Sequence, residues 1–151
     1  MEMSDEGITS PVKAKSMLFC RRVLQDRVSG MPTLVDIISQ LIVPRVPVRI
    51  GGLGFFCELT GCRGEYEFDV RILDTEKGTL SSPLKAPKVK WDDPTTYNHI
   101  SITLNFAAEH EGDYEFRLFA NGDLVDQKVL RVRIGRLRVP GGGGEPEAGV
   151  G

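Results

Sequence analysis

At 151 residues, 40% of them hydrophobic and 26% charged, the chain has the length of one domain and a globular composition. Its net charge of −2 conceals acidic ends: residues 1–11 carry −3 and residues 141–151 carry −2, leaving a body at +3. That balance is too mild to imply a nucleic-acid partner, and no run of about 18 apolar residues offers a membrane span.

The opening MEMSDEGITSPVKAK lacks the basic-then-apolar order of a secretory signal. The three cysteines, Cys20, Cys57 and Cys62, are too few and odd in number for a secreted disulfide framework, so a reduced, cytoplasmic setting is expected. Residues 1–13 read as a disordered lead-in. KSMLFCRRVLQD then reads as a first strand. The next segment, PTLVDIISQLIVP, is ambiguous. Leu34, Ile37, Ile38, Leu41 and Ile42 have helical spacing after Pro32, while the β-branched content and Pro44 favour a strand buried on both faces. Strand is the preferred reading, with a short helix across Pro32–Pro44 kept open.

Period-two alternation dominates the chain beyond Pro44. FFCEL and EYEF are expected to form a hairpin through TGCRG, and LDTEKGTL a second one, with Gly78 left-handed in its turn. In GEYEFDVRIL, Tyr66, Phe68, Val70 and Ile72 share one face. In ISITLNF, Ile100, Ile102, Leu104 and Phe106 do the same. The phrase Gly-acid-Tyr-Glu-Phe recurs 48 residues on, where Tyr114, Phe116 and Leu118 oppose Asp113, Glu115 and Arg117. Each phrase opens a strand after a turn glycine and sends a phenol toward the wet end of the core, where its hydroxyl meets a backbone acceptor. This resembles the tyrosine corner of immunoglobulin-like sandwiches.

Asn121-Gly122 predicts a type I′ hairpin, since both positions need positive φ. A two-residue loop opposes Ala120 with Asp123. It thereby sets Arg117 against Asp126, Glu115 against Lys128, Leu118 against Val125 and Tyr114 against Val129. The apolar parity then changes, which places a β-bulge at Val129–Leu130. The fold expected is all-β: a two-sheet antiparallel immunoglobulin-like sandwich of about eight strands. It spans residues 14–140, and the flexible Gly-rich tail GGGGEPEAGVG follows at 141–151.

FCRRVLQDRVSGMPTLVDIISQLIVPRVP, GCRGEYEFDVRILDTEKG and HEGDYEFRLFANGDLVDQKVLRV together resemble an uncharacterised bacterial family of small single-domain immunoglobulin-like β-sandwich proteins. The resemblance covers roughly residues 16–134. It implies the fold and transfers no catalytic residue, because the family is a domain of unknown function.

The chemistry-bearing residues are sparse. A metal site would need Cys57, Cys62, His99 and His110, and Cys57-x4-Cys62 lacks a second closely spaced pair. A thiol nucleophile would need Cys57 within reach of His99 or His110, which sit before different strands. Calcium or lipid binding would draw on Asp92, Asp93 and Asp123, all equally good turn formers. The densest charge feature is Lys128, Arg131 and Arg133, continued by Arg136 and Arg138. It lacks interleaved aromatics, so an acidic protein partner suits it better than nucleic acid. The expected function is a non-catalytic interaction module for a protein partner, with no cofactor and Lys128, Arg131 and Arg133 as its basic face. The alternatives are a calcium- or lipid-binding sandwich, and a hydrolase or metal-dependent enzyme using Cys57, His99 and His110.

Overall fold

The computed structural model describes residues 12–92 and 98–135. β1 (Lys13–Gln25) and β2 (Pro32–Ile38) form a hairpin. β3 (Gln40–Val43) crosses to the other layer, and β4 (Val48–Thr60) returns to the first. β5 (Gly64–Tyr66) and β6 (Phe68–Asp74) follow, then the short strands β7 (Thr79–Leu80), β8 (Leu84–Lys85) and β9 (Val89–Trp91). β10 (Asn98–Ala108), β11 (Gly112–Ala120) and β12 (Asp123–Ile134) complete the order. One sheet runs β10-β4-β1-β2. The other runs β3-β12-β11-β6-β7 with β8 also on β6, and β5 pairs separately with β9.

The chain is thus all-β, as its alternation predicts, with twelve strands among the described residues where about eight are expected. The surplus comes from short pieces that alternation over four or more residues cannot reveal. Pairing is antiparallel except for β3 beside β12, which is parallel.

Each sheet turns its alternate apolar residues toward the other. Phe19 and Phe55 stack at 5.0 Å, and Phe116 from the opposite sheet meets Phe19 edge-on at 4.8 Å. Phe106 joins them, 5.4 Å from Phe116 and 4.9 Å from Tyr114. Edge-to-face rings at these separations add to plain area burial. Gly54 lets β4 approach β1 here, because a Cβ would lie 3.0 Å from the Cys20 carbonyl oxygen and sulfur.

Local expectations are corrected at several places. Pro32–Val43 is extended but not buried on both faces: only Leu41 and Val43 are buried, while Ile37 is exposed, because the segment changes sheets at Ser39. TGCRG forms no hairpin. It carries the chain from β4 to β5 and β6 in other sheets, and Cys62, expected as a turn residue, is buried. The Asn121-Gly122 turn forms with φ of 50° and 87°, yet the register shifts between Leu118 and Phe119 rather than at Val129–Leu130. Val125 takes the extra place and packs against the core. Arg117 therefore faces Gln127, Glu115 faces Val129 and Tyr114 faces Leu130, so the expected Arg117–Asp126 and Glu115–Lys128 pairs do not form. Sequence parity demanded one bulge somewhere between Val125 and Leu130, and core packing chose the end nearest the turn. The lead-in expected to be disordered over 1–13 is corrected at its end, where Val12 is buried in the core and Lys13 opens β1; residues 1–11 and the expected tail at 141–151 lie outside the described residues.

Candidate functional site

The chemistry-bearing residues are dispersed. Cys57 pairs with Ile100 and is fully buried, while its neighbour Glu58 pairs with His99 on the opposite face of the sheet. His99 instead lies against Phe56, the two rings tilted by 31° with centroids 5.6 Å apart. His110 lies beyond the far end of β10. Cys57 is thus brought together with neither histidine. Burial pushes the Cys57 thiol far above its usual range, and pushes Cys62 up to about 11. Buried thiols of this kind are poor nucleophiles. All three cysteines are unpaired. Among the described residues, no group of three or more His, Cys, Asp or Glu is placed to hold a metal ion. Asp123 opposes Ala120 beside the hairpin turn, and Asp93 lies outside the described residues.

The expected basic face divides. Lys128 opposes buried Phe116 and so lies on the inward side of β12, whereas Arg131 and Arg133 lie on the outer side. Arg131 is already engaged by Asp113, its Nε and one Nη donating at 2.8 and 3.2 Å to the two carboxylate oxygens. That contact holds the Asp113 carboxyl below its ordinary range. Arg136 and Arg138 lie outside the described residues.

Sequence reasoning missed a polar cluster at the turn before β11. Asp74 ends the inward-facing series Phe68, Val70, Ile72, and an acid on a buried parity was the available signal. One of its oxygens accepts the Glu76 and Lys77 amides at 3.0 and 3.1 Å, and the other meets His110 Nε2 at 2.7 Å. His110 Nδ1 lies 2.6 Å from the Glu111 carbonyl oxygen. Both ring nitrogens face acceptors, an arrangement that the doubly protonated ring satisfies in full. The Glu111 carbonyl first, and then Asp74, raise the His110 pKa. Burial pushes Asp74 up, but the Lys77 amide, His110 and the Glu76 amide together hold it below its ordinary value. Tyr114 completes the corner: its hydroxyl donates to the His110 carbonyl at 2.7 Å and accepts the His110 amide at 3.2 Å. The tyrosine corner expected from the repeated phrase is present. Tyr66 makes a different bond, accepting the Arg63 amide at 3.2 Å.

Two surfaces remain. Past the last β1–β4 pair, Cys20 with Gly54, the β1–β2 hairpin pairs only with itself among the described residues. This arm, residues 21–37, exposes Leu24, Met31 (67%), Ile37 and Val28 (97%). On another side, a groove of about 510 Å³ separates β10 from the β6–β7 hairpin, lined by Ile72, Leu80, Leu84, Phe106, Ala107 and Tyr114 among others.

A family model described as a family of unknown function, DUF6941, matches residues 15–133. No curated protein matches. Among solved structures, the chain is similar to an alkylpurine DNA glycosylase from Pseudomonas fluorescens bound to DNA containing an abasic site analog. The two share 11% identity at a TM-score of 0.50, over 81% of this chain but 30% of that one. It is also similar to a β-glucosidase from Listeria innocua in complex with glucose, at 12% identity and a TM-score of 0.43, covering 81% of this chain and 16% of that one. An immunoglobulin-like protein from Pseudomonas aeruginosa is matched along 100% of its length and 84% of this chain, at 13% identity and a TM-score of 0.39. This chain therefore spans less than a third of either enzyme's length, and the likeness to the glycosylase is one of fold alone.

Proposed function

This chain belongs to the DUF6941 family of unknown function, and from that premise we propose that it is a non-catalytic immunoglobulin-like module that binds a protein partner. The observation that carries this reading is the β1–β2 arm. Among the described residues, four of the eight large apolar residues that are exposed, Leu24, Val28, Met31 and Ile37, belong to this one ribbon. Clustered exposed apolar side chains mark contact surfaces, whereas scattered ones do not. Arg22 and Arg27, exposed on the same arm, lend it a polar rim. The basic face is reduced in this reading to Arg133, with Lys128 on the other side of the strand. Free, buried thiols support a reducing compartment such as the cytoplasm.

The reading is tested by cross-linking the full chain in a lysate of its native host, beside a Val28→Ser, Met31→Ser variant. A discrete adduct should form with the wild type and fall at least about fivefold with the variant, a loss of roughly 1 kcal/mol in affinity. An adduct of equal yield from both would end the arm's role. A stoichiometric metal found by elemental analysis of the purified protein would turn the reading toward a metal-dependent activity.

A further inference from the structure

The edges of the two sheets are not treated alike. Unpaired strand edges invite a foreign strand, and proteins blunt them with charge, proline, irregular backbone or brevity. β2 begins at Pro32 and is interrupted at Asp36, whose φ is 54° and which drops out of the ladder to β1. On the edge away from β11, no described strand pairs with β12 over Asp123–Leu130, and there Asp126 and Lys128 lie on its inward side, opposite buried Leu118 and Phe116. β7 and β8 have two residues each, and β3 has four.

β10 carries none of these devices. It is eleven residues long, and among the described residues no strand pairs with its outer edge. From Ile100 to Ala108 it has no charge and no proline. Its ladder to β4 shifts once, between Leu104 and Phe106, but the extra residue belongs to β4, where Gly52 turns left-handed (φ 72°) and donates to the Asn105 side chain. β10 itself runs unbroken.

That bare edge borders the apolar groove. Phe106 and Ala107 form one wall, and Ile72, Leu80 and Leu84 the other. The acidic groups about it have partners, Asp74 in His110 at 2.7 Å and Glu109 in Lys77 at 3.6 Å. The geometry points to β10 as a strand-addition site: an extended segment of a partner protein, uncharged in its middle and apolar at alternate positions, pairs with β10 and drops its apolar side chains into the groove. Backbone hydrogen bonds supply affinity in this mode and alternate side chains supply selectivity. A second copy of the chain is the poorer occupant. Its β10 side chains Ile102, Leu104 and Phe106 are buried in its own core, leaving none to fill the groove. This surface is distinct from the arm and extends the interaction-module reading by naming the partner's conformation and chemistry.

The probe is a fluorescein-labelled peptide of the chain's own sequence from Ile100 to Ala108 with two lysines at each end, added to the full-length protein. Anisotropy should rise saturably, and backbone amide shifts should concentrate on Ile100–Ala108 and the groove wall at Leu80. Ser101→Lys with Thr103→Lys places charge on the exposed side of β10 without touching the core, and Leu80→Asp alters the far wall at a half-exposed position. Each should weaken binding at least about tenfold with the melting temperature held. Val28→Ser with Met31→Ser should leave peptide binding unchanged, so the edge and the arm succeed or fail separately. Binding unaffected by both edge-side variants, or shifts confined to another surface, overturns the proposal. So does a wild-type dimer in sedimentation that Ser101→Lys with Thr103→Lys converts to monomer, since that assigns the edge to a second copy.

Discussion

His110 is held by two acceptors, the Glu111 carbonyl and the Asp74 carboxylate, and this makes its protonation part of the fold. Its pKa is raised above the ordinary 6.5, so its contribution is complete below that value and is lost as pH rises through the folded value. Asp74 is lowered below 3.8, so its contribution is present above 3.8 and is lost as pH falls through the folded value. The pair therefore stabilises most between those limits. The expected outcome is a melting temperature that declines from about pH 6 toward alkaline pH in the wild type, and a flatter decline in His110→Gln. An imidazole titration midpoint at or below 6.5, read by NMR, would contradict the contact. At the same scale Gly122 adopts a φ of 87° with no atom near its missing Cβ, so a side chain there is strained by backbone alone. Gly122→Val should lower unfolding free energy by about 1–2 kcal/mol, seen as a lower denaturant midpoint. The Asn121-Gly122 dipeptide made this legible in sequence, because the demand for positive φ is local.

At the scale of the element, the faces of β6 and β10 were legible, while strand partners and the face of β12 before its bulge was placed were not. Alternation placed Tyr66, Phe68, Val70 and Ile72 on a buried face, and likewise Ile100, Ile102, Leu104 and Phe106. Each residue's side of a strand follows from the pleat, whatever lies beside it. The pairing of Glu115 was misplaced because one inserted residue, Val125, slips every pair beyond it. The consequence is visible at β12, where Asp126 and Lys128 occupy the inward side of an edge. Dispersed charge there suppresses strand addition. Replacing both with Val should leave the fold intact but produce concentration-dependent association by light scattering, and an unchanged monomer would remove that role.

For the whole molecule, the two sheets meet through one aromatic cluster, Phe19 and Phe55 from one side and Phe116 from the other. Phe116 is fully buried, and Phe116→Ala should cost about 3–5 kcal/mol through lost transfer energy and an unfilled cavity. Since the cluster joins both layers, calorimetry and near-ultraviolet circular dichroism should report one transition at a lower temperature; two separate transitions would contradict a shared core. The candidate sites belong to this scale as well. Cys57 and His99 are nearly adjacent across the β4–β10 ladder yet face opposite sides of the sheet, and so form no dyad. Arg131 meets Asp113 because β11 and β12 are neighbours, and Asp74 meets His110 across 36 residues.

The amino-acid order alone determined the all-β class, the inward and outward faces of β6, β10 and β11, the left-handed hairpin turn and the tyrosine corner. Each of these is set by steric or hydrophobic demands acting within a few neighbouring residues. Tertiary structure alone decided where the β11–β12 bulge falls, how Pro32–Val43 divides between the two sheets, and that no described strand covers the outer edge of β10 beside the groove. Those outcomes depend on which distant surfaces become neighbours, and a single strand's pattern is the same whether its edge is covered or open.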